Sequence, residues 1–245
     1  MEIWQKLIKL DSVDSTNEHT SNILKQKKLP EGSIFFSMSQ TAGKGLGSNT
    51  WESEKGKNLL LSIVLYPSFL EVKDQFLLSK AVSLGISDYC NTKTDDIKIK
   101  WPNDIYYQNK KLAGILIENS IKGSKIEKSI VGIGLNLNQE LFVSNAPNPI
   151  SLKSITGIDF EIDKELLVLR DFIQDSYLKL KTDRVSLNKL YLEKMFRYNE
   201  FHLYKIENQT LELKITGVNE FGHLQAISLD GVTNEFDLKE IEFVL

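Results

Sequence analysis

Apolar residues along the first 196 positions fall into two patterns: compact runs suited to buried strands, and spaced sets suited to helices. DSTNEHTSNILKQKK carries Ser15, Thr16 and Asn17 ahead of a helical run that ends at Pro30, a helix-start signal. GSIFFSMSQ predicts a buried strand, and NLLLSIVLYP, residues 58–67, a central one rich in apolar and β-branched side chains. DQFLLSKAVSLGISDYCNTK spaces Phe76, Leu77, Ala81, Leu84 and Ile86 as a helix does. DIKIKWPNDIYYQNKKLAGILIE reads as a strand, a proline break and a hairpin turning at residues 108–110. KSIVGIGLNLN predicts a further strand, and two helices follow in DKELLVLRDFIQDSYLKLKTD and LNKLYLEKMFRY.

From Glu200 the texture changes to short strands: HLYKI, TLELKITGV, HLQAISL, VTNEFDL and EIEFVL. Turn signals at residues 207–208, 219–222 and 230–231 separate them, which predicts a small barrel of five strands. No low-complexity linker precedes it, so it should pack directly on the larger part. That larger part mixes strands, hairpins and helices, so the expected class is α+β with a mixed sheet, divided into residues 1–196 and 197–245.

Composition narrows the function. The chain has 245 residues, 41% of them hydrophobic, enough to bury a substantial core. Thirty basic against thirty-three acidic residues give a formal charge of −3, with no basic block of the kind that binds DNA, so nucleic acid is not the expected partner. One cysteine, Cys90, excludes an internal disulfide framework and a cysteine-rich zinc site; three scattered histidines, at 19, 202 and 223, argue against a histidine metal centre. MEIWQKLIKLDSV is too polar for a signal peptide, and no apolar run is long enough to span a bilayer. The expectation is a soluble cytoplasmic protein without a membrane partner.

Three stretches carry candidate chemistry. In IKIKW, alternation sends Ile97, Ile99 and Trp101 to one face and Lys98 and Lys100 to the other. The pair is either two solvated lysines or, with Asn103 and Asp104 just past Pro102, an arrangement that neutralises an anion. In GIGLNLN, Gly134, Asn136 and Asn138 share a face that packs poorly as core, so it lines a cavity or faces water at a sheet edge. SQTAGKGLGSNTW, residues 39–51, packs three glycines and Lys44 ahead of Trp51, which suits either a hairpin connection or a backbone cradle for an anion. Trp51 is core filler or a stacking platform for a planar ring.

Read together and in order, DSTN, QTAGKGLGSNTW, KWPNDI, KLAGILIE and GIGLNLN resemble the catalytic domain of biotin protein ligases (biotin–[acetyl-CoA-carboxylase] ligases). The resemblance runs from about Asp14 to Asn138, and the terminal strands resemble the family's SH3-like C-terminal domain. About thirteen residues precede DSTN, too few for a helix-turn-helix module, so the short, non-repressor form is expected.

The resemblance implies ATP, biotin and Mg²⁺ as reaction partners, with no protein ligand for the metal singled out. It implies a biotin carboxyl carrier domain as acceptor, and it admits a homodimer. Biotin's ureido ring would meet Ser15, Thr16, Gln40 and the backbone of Gly43, Lys44 and Gly45; Asn17, Leu46 and Gly114 complete that set. Lys100 would be catalytic, meeting the biotin carboxylate and the α-phosphate. Trp51 would stack on adenine, Asn103 and Asn136 would contact the nucleotide or its metal, and Lys111 would face the phosphates. One departure stands out: family loops commonly carry several arginines, as in GRGRRGR, where this chain has Leu46, Gly47 and Asn49. Lys44 keeps one charge in the loop, and Lys55 or Lys57 could compensate from the following turn. The rival within the same fold is a lipoate–protein ligase or octanoyltransferase; a non-catalytic biotin or nucleotide sensor is the rival of another class.

Overall fold

The computed structural model describes residues 4–143 and 148–245. In chain order its first part holds β1 (Leu7–Leu10), α1 (Thr16–Gln26), β2 (Ser33–Ser37), β3 (Leu59–Leu65), α2 (Phe76–Asn91), β4 (Ile97–Lys100), β5 (Asp104–Tyr107), β6 (Lys110–Lys122) and β7 (Lys125–Leu135). Three helices follow: α3 (Leu152–Thr156), α4 (Ile162–Thr182) and α5 (Arg184–Glu193). The seven strands form one sheet in the order β1-β2-β3-β7-β6-β5-β4, with β1 and β2 parallel and every other pair antiparallel. The sheet is therefore mixed and the class α+β, as the sequence predicts.

β3 is buried along its whole length because both sheet faces are covered. Leu59, Leu61, Ile63 and Leu65 join the main core beneath α2 and α4. Gly85 permits that helix pair to approach closely: a Cβ there would lie 2.7 Å from the Ile173 Cα. On the opposite face, Val64, Phe35 and Leu29 form a smaller core with Ile23 and Leu24 of α1. β1 and α3, which the hydrophobic pattern does not single out, complete this part.

The C-terminal strands are β8 (Phe201–Ile206), β9 (Gln209–Val218), β10 (Leu224–Ser228), β11 (Thr233–Phe236) and β12 (Glu242–Phe243). All five expected strands form, in the antiparallel order β11-β10-β9-β8-β12. Among the described residues β11 and β12 are not paired with each other, so the expected barrel appears as an open sheet. Its apolar side shares one core with the larger part: Tyr204, Leu213, Ile215 and Leu224 belong to the same cluster as Ile99 and Trp101. Trp101 Nε1 also donates to the Gly222 carbonyl at 2.8 Å. Among the described residues no helix is long and apolar enough to cross a membrane.

Candidate functional site

Strand register places Leu60, Gly134, Gly114, Asp104 and Lys100 in one row across β3, β7, β6, β5 and β4. The adjacent row on the same face holds Ser62, Gly132 and Leu116. Three glycines on neighbouring strands leave a shallow trough, and two side chains lie in it. The Trp51 indole rests on the first row: a Cβ on Gly134 would sit 2.4 Å from its Cε2, and one on Gly114 would sit 3.0 Å from its Cζ3. The Asn17 amide rests on the second, 2.5 Å from where a Gly132 Cβ would be. Glycine is required at 132 and 134 because any side chain would displace these groups.

The α1 end of the trough is tightly bonded. Asn17 Nδ2 donates to the Leu116 carbonyl (3.2 Å) and to Glu118 Oε2 (2.8 Å), while Ser62 Oγ donates to Asn17 Oδ1 at 2.6 Å. One residue earlier, the Thr16 amide and hydroxyl both donate to Gln40 Oε1, at 2.7 and 3.0 Å. Ser15, the helix N-cap, makes no side-chain cap bond and is 4% exposed, so its hydroxyl is a buried polar group at the cavity wall.

At the other end stands Lys111, with Nζ 2.7 Å from Asp104 Oδ1. Its presence on this face depends on a register shift. Gly114 pairs with Asp104 and Ala113 with Ile105, but Tyr106 pairs with Lys111, so Leu112 is an extra residue on β6. Strict alternation from Gly114 would bring Leu112 to the trough and turn Lys111 away; the bulge reverses the two. Leu112 is accordingly buried in the core, and Lys111 Nζ reaches within 5.7 Å of the Trp51 ring centre.

The glycine loop closes the remaining side as a short hairpin. Gly45 N donates to the Asn49 carbonyl (2.8 Å), Trp51 N to Gly43 O (2.9 Å), and Lys44 bridges Thr50. A Cβ on Gly43 would lie 2.5 Å from the Trp51 carbonyl oxygen, which accounts for that glycine. Lys44 pairs with Glu18 of α1 at 3.0 Å, and this bond holds its ammonium charged beyond the usual lysine range.

Together these elements enclose a cavity of about 240 Å³. Of the residues expected from sequence, Ser15, Thr16, Asn17, Gln40, Lys44, Gly45, Leu46, Trp51, Asn103, Lys111 and Gly114 line it. Gly43 sits just behind, bonded to Trp51. Asn103 closes the β5–β6 junction, its Nδ2 donating to the Ile115 carbonyl at 2.7 Å.

Two expected residues are elsewhere. Lys100 is on the correct face but belongs to β4, the last strand of the sheet, so the Asp104–Lys111 pair stands between it and the glycines. Its ammonium lies 4.4 Å from the Phe243 ring centre and 5.3 Å from that of Tyr106, and burial holds its pKa below the ordinary lysine value. Asn136 follows the end of β7, where alternation stops; its Nδ2 donates to the Ile150 carbonyl at 3.0 Å and supports the segment leading into α3. Asn138 similarly exchanges bonds with Phe160. Four further residues line the cavity: Asp104, which the sequence offers only as a neighbour of the IKIKW lysines, and Asn49, Thr50 and Gly132, which are not among the expected site residues. For Gly132 the signal was present, since it lies two residues before Gly134 on the same strand face.

This trough, lysine-tipped and roofed by a glycine hairpin, agrees with a family-level match. Residues 10–136 fit the model of the biotin/lipoate A/B protein ligase family, and the chain belongs to that family. Among curated relatives, the bifunctional ligase/repressor BirA of Bacillus subtilis (strain 168) is 37% identical over 139 residues, covering 56% of this chain and 42% of that protein. The chain thus matches less than half the length of that relative. The biotin--[acetyl-CoA-carboxylase] ligase of Paracoccus denitrificans is 30% identical over 156 residues, 60% of this chain and 63% of that protein. Among solved structures, the biotin protein ligase from Aquifex aeolicus in complex with biotin and ATP superposes with a TM-score of 0.80 at 28% identity, over 97% of this chain and 98% of that one.

Proposed function

We propose that this protein is a cytoplasmic biotin protein ligase that joins biotin to ATP as biotinoyl-5′-AMP and passes the biotinoyl group to a carrier-domain lysine. The observation that carries this reading is the polarity of the 240 Å³ cavity: neutral hydroxyl and amide groups at the Ser15–Gln40 end, a half-buried cation at the Lys111 end. A neutral ureido ring suits the first and a carboxylate beside a phosphate the second. Lipoate and octanoate carry no polar head group to match Ser15, Thr16 and Gln40, so the biotin reading is the stronger within the fold.

In the first step a carboxylate oxygen of biotin attacks the α-phosphorus of ATP, and the bond to pyrophosphate breaks. Lys111 is the residue placed to bring the two anions together and to stabilise the charge that develops. In this reading Lys111, not Lys100, is the catalytic lysine, and Lys100 acts at the seam with the C-terminal sheet. Trp51 offers its ring to the ligand inside the cavity, and its buried Nε1, which has no acceptor among the described residues, offers a donor there. In the second step the neutral ε-amine of the acceptor attacks the acyl carbon, forming the amide and releasing AMP. The glycine hairpin keeps water from the mixed anhydride between the steps.

Among the described residues no three His, Cys, Asp or Glu side chains converge on a metal position. That suits Mg²⁺, which is usually held by one or two carboxylates together with substrate phosphates. Asp104 is the carboxylate of the cavity lining, and it would share the ion with the triphosphate, offsetting phosphate charge. We assign residues 1–196 to the ligase unit and residues 197–245 to the C-terminal unit.

The test is incubation with ATP, Mg²⁺, biotin and a biotin carboxyl carrier domain, followed by intact-mass measurement. One biotinoyl addition per carrier, dependent on ATP, is expected. Addition with lipoate or octanoate and none with biotin would sink the reading.

A further inference from the structure

The apex of the glycine hairpin separates two spaces. Leu46 lines the 240 Å³ cavity on one side and, on the other, a groove of about 650 Å³ between the large sheet and the C-terminal sheet. The turn between β11 and β12 reaches this apex from across the groove. Leu238 lines the groove together with Leu46, and a Cβ on Gly47 would lie 3.5 Å from Lys239 Nζ and 3.6 Å from its Cε.

Both partners of this contact are set by backbone geometry. Gly47 turns at a φ of 66°, and the absence of a side chain lets the lysine stem lie against it. Lys239 has a φ of 73°, unusual for a side-chain-bearing residue. It is held there by a turn in which Leu238 N donates to Asp237 Oδ1 (2.6 Å) and Asp237 N to Glu240 Oε2 (2.7 Å). Three other lysines near the hairpin are engaged: Lys44 with Glu18, Lys55 with Asp11, Lys111 with Asp104. Among the described residues Lys239 forms no ion pair, so its charge stays at the hairpin apex.

We infer that the β11–β12 turn is a latch that holds the glycine hairpin over the cavity, with Lys239 as a positioning residue for retention of the acyl-adenylate. The retention part rests on the ligase reading above. The C-terminal sheet then has a task in the chemistry of the larger part: a hairpin lifted at its apex admits water to a mixed anhydride, whereas a latched one does not.

Two measurements on the full chain test this, each with wild type, Lys239→Gly and Lys239→Arg. Glycine favours the φ at 239, so its introduction removes the side chain without stressing the turn; arginine keeps reach and charge. Hydrogen exchange in residues 45–49, measured without ligands, should be about fivefold faster in Lys239→Gly and restored in Lys239→Arg. The half-life of bound biotinoyl-5′-AMP without acceptor should shorten about fivefold in Lys239→Gly while biotin affinity and Tm stay at wild-type values. Equal exchange in wild type and Lys239→Gly overturns the latch whatever the chemistry. Faster exchange from a chain that makes no acyl-adenylate keeps the latch and overturns the ligase reading instead.

Discussion

Lys111 and Asp104 face each other across a strand bulge, Nζ 2.7 Å from Oδ1, with 26% and 14% of their side chains exposed. The pair stores a positive charge where the cavity needs it. The carboxylate balances the ammonium until a ligand carboxylate or phosphate competes for it. Burial opposes an ammonium that lacks such a partner, and it is the main cause that lowers the pKa of Lys100 next to it.

Lys111→Ala is therefore expected to slow acyl-adenylate formation by ~10²–10³, the usual cost of one preorganised charge-stabilising group. Lys100→Ala should slow it by less than about tenfold, because Lys100 packs on Phe243 and Tyr106 outside the cavity. Single-turnover pyrophosphate release measures both. The reverse ranking would return the catalytic role to Lys100.

Gly134→Ala should displace the Trp51 indole, since its methyl group would lie 2.4 Å from Cε2. Overpacking of this kind costs roughly 1–3 kcal/mol, and the cavity floor would move with the ring. Biotin affinity falling with stability, by calorimetry and urea titration, is the expected result. Unchanged affinity would show that the ring is not part of the binding surface.

Asn17→Ala removes bonds to Leu116 and Glu118 and strands the buried Ser62 hydroxyl. The expected loss is about 1–3 kcal/mol in urea unfolding. Asn17→Asp should be worse at neutral pH, because it sets a carboxylate against Glu118, and should recover partly as pH falls below about 5. A variant as stable as wild type would mean that water replaces the lost partners.

Lys80 gives a pH dependence. It is 3% exposed, bonded to Asn188 Oδ1 at 2.6 Å and packed on the Phe76 and Tyr191 rings, and burial lowers its pKa from 10.5 to about 8. Below pH 8 the folded and unfolded chains both carry the charge, and the folded one bears the full desolvation cost. Between pH 8 and 10.5 the folded chain releases the proton first, so stability should rise with pH, by about 2 kcal/mol between pH 7.5 and 9.5. Lys80→Met should abolish that slope and be the more stable protein at pH 7.5. Parallel pH profiles for the two would refute this account.

Most of the fold can be read from spacing. Both long helices and strands β2 to β7 follow the apolar pattern, and every C-terminal strand follows its turn signals. The glycine hairpin and the glycine face of β7 are legible in the same way, whereas the polar corner at Ser15–Gln40 follows only from the family resemblance. Lys100 and Lys111 show where such reading stops. Alternation assigns a lysine to a face but not to a distance along the sheet, and Lys100 lies at the far edge. Lys111 reaches the face through one extra residue whose presence depends on pairing between β5 and β6, a relation between strands that no single strand's periodicity reveals. Asn136 and Asn138 illustrate the same limit, because β7 ends at Leu135 and strand alternation does not hold beyond it.

The bonding of Asn17 also has a bearing on selectivity. Its amide is committed on both sides to the sheet, so the wall beside Ser15 and Thr16 is as rigid as the strands beneath it, whereas the roof over Lys111 is a hairpin held at its tip. On the proposed ligase reading, discrimination among small acids would fall to an immobile surface and commitment to reaction to a movable one. Altering which acid is accepted calls for substitutions on the α1 side; altering how long the activated acid is kept calls for substitutions at the hairpin and its contact with the C-terminal sheet.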